Sequence, residues 1–211
     1  MLKSLGLRGT VLALLGGFLL WTAVVPMLGT AGEAKSFTDT FEVIAPEAID
    51  ESVFKLVGQD WSVITAGSPP NSMIASFGGF GILFEKPAAW CFLRASRFTL
   101  EKMRETGAFT ISYFPEQYRG EYLKFGQQSG RGPNSTKMRD TRLTPISTPD
   151  GLPAYAEAKF VLELKLIEVT TVSPGDFLTQ EGRDFVEGAH GEAGDYHKLV
   201  FGEIVKVWRT K

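Results

Sequence analysis

Phe160-Val-Leu-Glu-Leu-Lys-Leu-Ile-Glu168 sets apolar against polar residues with a period close to two, the pattern of a strand with one buried face. It lies within a longer strand-like run from Ala154 to Thr170. Upstream, Trp61-Ser-Val-Ile-Thr-Ala66 is a compact β-type run that stops at Gly67-Ser-Pro-Pro70, whose prolines cannot continue a ladder. A further strand starts at Met73 and dissolves into Gly78-Gly-Phe-Gly81, and Ala88 to Arg94, Ala108 to Phe114 and Tyr196 to Arg209 complete the set. Two helices interrupt them. Thr99-Leu-Glu-Lys-Met-Arg-Glu-Thr106 has a capping hydroxyl at Thr99, an early Glu101 and a closing Gly107. Glu116 to Phe125 places Tyr118, Tyr122 and Phe125 on one face. Short strands without regular strand-helix alternation predict a mainly β, antiparallel barrel rather than a doubly wound parallel sheet. Residues 126–153, rich in Gly, Ser, Thr, Pro and charge, read as a surface crossing or flap.

Composition narrows the chemistry. The chain has 211 residues, 44% hydrophobic and 22% charged, which excludes long disorder and makes one folded domain the default. Lys+Arg 22 against Asp+Glu 24 leaves a formal charge of -2, with no basic excess for a nucleic-acid backbone, so no nucleic-acid partner is expected. A single cysteine, Cys91, permits no intrachain disulfide and no thiolate zinc site, and it reads as a buried strand residue. Two histidines, His190 and His197, are too few for most catalytic metal sites, and no metal is expected. Chemistry must come from a bound organic cofactor or from acid and hydroxyl side chains.

The amino terminus reads as a separate object. Lys3 and Arg8 precede an apolar stretch from Val11 to Val25, shorter than the about 20 residues that span a bilayer core. Pro26 breaks it, and Gly29-Thr-Ala31 or Gly32-Glu-Ala34 offers the small-x-small pattern of a signal peptidase site. Residues 1–34 are therefore expected to be a cleaved signal peptide and 35–211 the folded domain, periplasmic or secreted, with no stable membrane span after cleavage. An uncleaved membrane anchor is the alternative.

Two stretches can carry a ligand. Asn71-Ser-Met-Ile-Ala-Ser-Phe-Gly-Gly-Phe-Gly81 is dense in small residues, which lets a flat ligand approach main-chain amides, although a bulged strand explains it as well. It matches neither a P-loop nor a dinucleotide fingerprint. Arg94-Ala-Ser-Arg-Phe-Thr99 gathers two guanidinium groups, two hydroxyls and a helix start, a combination suited to a phosphate monoester. A solvated loop with a capping threonine is the plainer alternative.

Taken in order, several blocks carry a resemblance: Trp61 with Thr65-Ala-Gly67, Asn71 to Gly81, Lys86-Pro87, Cys91 to Thr99, Phe109 to Phe114, Ser129-Gly-Arg131, Gly194-Asp-Tyr-His197 and Gly202-Glu-Ile204. From about Ala45 onward the chain resembles the flavin reductase-like, flavoredoxin-type branch of the FMN-binding split-barrel family. The resemblance implies a six-stranded Greek-key split β-barrel with a few short helices, dimeric, with FMN held non-covalently near the subunit interface. It implies that Thr65, Ala66, Gly67, Ala75, Ser76, Phe77 and Gly78 line the isoalloxazine, with Asn71 at the mouth of the site. Arg94, Ser96, Arg97 and Thr99 would hold the phosphate, and Ser129, Gly130 and Arg131 would add polar contacts from this chain or the partner subunit. Lys137 matches a lysine of the following loop. His197 matches a histidine near the flavin face and is the catalytic candidate, whereas His190 reads as a loop residue. Phe77 and Phe80 stand where relatives often carry tryptophan and isoleucine.

The function so implied is that of an FMN-binding oxidoreductase of flavin reductase type. NADH and NADPH are not expected outside the cytoplasm, so an exported member would fit a flavoredoxin-like electron carrier fed by another redox protein. An FMN-independent protein on the same barrel is the third class.

Overall fold

The computed structural model describes residues 36–190 and 194–211, and the expected signal segment 1–34 lies outside them. Ten strands occur among these residues: β1 (Phe41–Ile44), β2 (Ser62–Ala66), β3 (Asn71–Ala75), β4 (Gly78–Leu83), β5 (Lys86–Arg94), β6 (Ala108–Tyr113), β7 (Pro145–Ser147), β8 (Pro153–Tyr155), β9 (Phe160–Thr171) and β10 (His197–Thr210). The α-helical segments are α1 (Phe37–Thr40), α2 (Val53–Lys55), α3 (Phe98–Thr106), α4 (Arg119–Tyr122) and α5 (Gln180–His190). No helix among the described residues is long and apolar enough to cross a membrane.

The main sheet runs β3-β2-β6-β9-β10-β5-β4, with β1 added on β10, and every pairing in it is antiparallel. Its two end strands, β3 and β4, are consecutive in the chain with only Ser76 and Phe77 between them. A sheet whose opposite ends are tied by two residues must curl to bring those ends near each other, which makes it a barrel left open between β3 and β4, where no ladder forms. The mainly β barrel with short helices expected from the sequence is what forms. Its main sheet carries eight strands, because β1 adds one and the stretch from Asn71 to Leu83 folds as two.

Alternation along the strands feeds two apolar layers. Ile64, Ala66, Met73, Ala75, Phe109, Ile111, Leu162 and Leu164 fill the inside of the curl with Cys91 and Leu93, whereas their neighbours Val63, Ile74 and Val161 face an outer layer of Phe114, Tyr122, Phe125, Tyr155 and Trp208. Both faces of β2 are therefore covered, and all five of its residues are buried. That double burial is why Ser62–Ala66 lacks a polar stripe in the sequence.

Four local expectations are corrected. Thr99 does not cap α3: Arg97 occupies the N-cap with no side-chain cap bond, and Thr99 turns inward at 1% exposure. The stretch Glu116 to Phe125 is a 3-10 turn, the single α turn of α4 and a second 3-10 turn, although Tyr122 and Phe125 are buried as expected. The run from Ala154 to Thr170 divides into β8 and β9, with Ala156 to Lys159 turning between them. His190 is the last residue of α5 rather than a loop residue.

Candidate functional site

A cavity of about 180 Å3 opens where the start of β3 meets the start of α3 and the segment 128–137. Asn71, buried at the first position of β3, donates through Nδ2 to Thr99 Oγ1 at 2.6 Å. Because Thr99 accepts that bond, its own hydroxyl proton stays available to a ligand. Gly130 closes the opposite wall: a Cβ there would stand 1.8 Å from Asn71 Oδ1, so only glycine fits. Met73, Phe98, Ser96, Arg97, Gln128, Ser129 and Lys137 complete the lining.

The electrostatics of this cavity are those of an anion site. Lys137 is 5% exposed, and its burial, with the Arg97 guanidinium nearby, pushes its ammonium pKa down to about 8. No carboxylate among the described residues forms an ion pair with Lys137 or Arg97. The uncapped start of α3 adds the positive end of its dipole. Two unpaired cations and a free hydroxyl converging on one small cavity suit a phosphate.

Ser96 and Ser129, within the lining, and Arg94 and Arg131, outside it, have partners of their own. Ser96 is turned to Asp195: its N–H donates to Oδ1 at 2.9 Å and its Oγ to Oδ2 at 2.5 Å. Arg94 donates from Nη2 to the Ala189 carbonyl at the end of α5. Arg131 packs on the Phe98 ring, 5.0 Å from its centroid, pairs with Glu101 at 2.7 Å and reaches the Ser96 carbonyl at 3.4 Å. Ser129 Oγ accepts the Arg131 N–H at 3.2 Å.

The residues expected around an isoalloxazine do not share that cavity. Thr65 and Gly67 line a second one of about 360 Å3 beneath the β7–β8 hairpin, where Thr65 Oγ1 and Tyr155 Oη each lie 2.7 Å from Ser72 Oγ. Ala66 and Ala75 point into the inner core. Ser76, Phe77 and Gly78 line a third, mostly apolar cavity of about 640 Å3 with Phe54 and Trp90. Gly78 is required there because its φ is +148° and a Cβ would stand 2.2 Å from the Trp90 carbonyl oxygen. His197 opens β10 opposite Arg94, its ring edge-on to Phe77 with centroids 6.1 Å apart.

The sequence marks Lys137 only as a match to a loop lysine, and Asp195, Met73, Phe98 and Gln128 are not among the residues expected at the site. Asp195 stood inside the quoted block Gly194-Asp-Tyr-His197, but its partner lies 99 residues away, and local spacing carries no sign of such a contact. No group of three or more His, Cys, Asp or Glu side chains among the described residues is placed to hold a metal ion.

Residues 54–211 match the family described as "Flavin reductase like domain". Among curated proteins, no sequence matches the chain. Among solved structures, an FMN-binding domain of a flavin reductases-like enzyme from Shewanella baltica OS155 is similar at a TM-score of 0.56 and 16% identity, over 81% of this chain and 77% of that one. Flavoredoxin of Desulfovibrio vulgaris (Miyazaki F) is similar at a TM-score of 0.52 and 25% identity, over 70% of this chain and 67% of that one. An NADH:FAD oxidoreductase from Streptomyces globisporus C-1027 is similar at a TM-score of 0.51 and 16% identity, over 72% of this chain and 78% of that one.

Proposed function

The chain belongs to the flavin reductase-like family, and from that premise we propose that it is an FMN-binding redox protein of flavin reductase type. The observation that carries this reading is the cavity in which Arg97 and Lys137 lack carboxylate partners beside Thr99, Asn71 and the open start of α3. These residues fit the phosphate of FMN in charge and in donor type. When bound, FMN supplies the electron-carrying ring, and the protein supplies its binding, orientation and surroundings.

In this reading Arg97 and Lys137 balance the phosphate charge, and Thr99 donates its hydroxyl while Asn71 holds it in place. Ser76, Phe77 and Gly78, with Phe54 and Trp90, form a mostly apolar wall that would keep water from the flavin ring once covered, since Phe54 and Phe77 are exposed in the single chain. His197 stands against Phe77 at that wall, where its imidazole is the candidate to assist proton transfer. A homodimer accounts for the separation between the phosphate cavity and the apolar wall. The exposed Phe77, Ile82 and Phe84, beside the unpaired outer edge of β4, are the surface a second copy would cover.

A second reading, an electron carrier fed by a redox partner, is favoured by the amino-terminal apolar run, which we take to direct export and cleavage near Gly32 or Lys35. An intact mass that includes residues 1–34, on protein from the membrane fraction, would remove that support. The main reading is tested on the purified domain by its absorbance spectrum and by fluorescence titration with FMN, which is expected to bind. Anaerobic stopped-flow then separates reductase from carrier. A reductase is bleached by NADH or NADPH and slowed by His197→Ala, whereas a carrier is bleached only by dithionite or a reduced partner protein. Absence of FMN binding overturns both.

A further inference from the structure

Asp195 accepts both the N–H and the hydroxyl of Ser96, with one carboxylate oxygen for each. It is partly buried between the strand that brings in His197 and the turn that leads from β5 into α3. A serine hydroxyl has one proton, and here that proton goes to Asp195 Oδ2 at 2.5 Å. Ser96 therefore cannot also donate to a ligand while this contact holds. The same turn is tied on its other side by Arg131, whose Nη2 donates to the Ser96 carbonyl, and by the Arg97 N–H to the Arg94 carbonyl at 3.0 Å. Arg97 and Thr99, which do face the cavity, follow Ser96 within three residues.

We propose that Asp195 is a positioning residue: by fixing Ser96 it holds the Arg94–Thr99 turn in the form that offers Arg97, Thr99 and the open start of α3 to a phosphate, and it ties that turn to the strand carrying His197. The proposal deepens the FMN reading and rests on it for the identity of the ligand, but not for the contact itself. Burial alone would raise the Asp195 carboxyl. The two Ser96 donors and the guanidinium groups of Arg94 and Arg97 outweigh burial and hold it below the usual carboxylate range. The carboxylate is thus charged at neutral pH and committed to the turn.

The alternative has the opposite sign. Were Ser96 a phosphate donor that Asp195 merely occupies, Asp195→Asn would remove a competing negative charge, free the hydroxyl and tighten FMN. Under the proposal Asp195→Asn weakens FMN about tenfold or more, the scale of a charge-assisted hydrogen bond. It leaves riboflavin, which has no phosphate, unchanged. Ser96→Ala gives a similar loss, and the double variant loses no more than the larger single loss, because the two residues act as one device. Equal weakening of FMN and riboflavin would show a general loss of structure and overturn the proposal, as would tighter FMN or additive losses. Two-dimensional amide NMR of the ligand-free protein tests the contact without FMN. The Ser96 amide is expected to shift with an inflection below the usual carboxylate range in wild type and to lose that inflection in Asp195→Asn. If wild type binds no FMN, the functional reading fails by itself, and titration with inorganic phosphate takes the place of FMN. Weaker phosphate binding in Asp195→Asn then supports the proposal, and equal or absent binding overturns it.

Discussion

Arg97 and Lys137 stand at one small cavity, and neither forms an ion pair with a carboxylate among the described residues, although the Asp195 carboxylate beside the turn also feels Arg97. Arg97→Ala is expected to remove roughly 1.5 to 3 kcal/mol of charge-assisted binding, or about 10- to 150-fold in FMN affinity, with riboflavin nearly indifferent. Fluorescence titration with both flavins checks this, and an unchanged FMN affinity would place the phosphate elsewhere. Lys137 adds a pH dependence. Its folded-state pKa, about 8, lies below the ~10.4 of an unfolded lysine, so between these values the unfolded chain binds more protons and ligand-free stability rises with pH. FMN affinity moves the other way, falling as pH passes through about 8 and the ammonium is lost. Lys137→Met is expected to flatten both trends, read by thermal melts and titrations from pH 6 to 10. Ser96, Arg97 and Thr99 could be grouped from the sequence because they lie close together in it, whereas Arg94 of the same block lies outside the cavity lining and is turned to the Ala189 carbonyl. Lys137 was less legible, since its value comes from burial that a loop lysine does not advertise.

At the level of elements, β9 was legible from its alternation, although only the part from Lys165 onward has a wet face and Phe160–Leu164 are buried on both, and β2 was legible where a β-branched run meets proline. The strand expected to start at Met73 and fade at Gly78–Gly81 is two strands, β3 and β4, because two residues suffice to end one and begin the next and neither is a proline. Helix α5 went unseen: its one buried apolar residue is Val186, while Phe185 beside it is exposed, so no stripe marks it. The expected threonine cap on α3 failed because Thr99 is spent on Asn71 inside the cavity. The segment 128–137 can wrap that cavity only because Gly130 lets it pass Asn71. Gly130→Ala should force the two apart and weaken FMN at least as much as Arg97→Ala, while the circular dichroism of the barrel stays unchanged. Full FMN affinity in that variant would mean the wall is not part of the site.

For the molecule as a whole, the barrel interior could be anticipated from alternation, but the division of the site could not. The sequence blocks at Thr65–Gly67 and Ser76–Gly78 are near neighbours along the chain, yet the hairpin of β2 and β3 sends them to opposite ends, where they line different cavities. Register, which spacing alone does not reveal, decides which residues meet.

Strand β10 lies along β9 on one edge, and on the other it takes β5 over His197–Glu203 and then β1 over Val207–Thr210. The ribosome makes this strand after all three of its neighbours. Until it emerges, β5 and β9 have no shared partner and the inner core has no closing wall, so the domain cannot mature piecemeal as it is synthesised. A chain ending at Tyr196 should therefore remain open to limited proteolysis and give no cooperative melt, even though it keeps every residue lining the cavity proposed for the phosphate. Addition of a synthetic peptide spanning His197 to Lys211 is expected to restore protease resistance. A truncated chain that melts cooperatively by itself would show that the barrel can commit to its shape before its last strand exists.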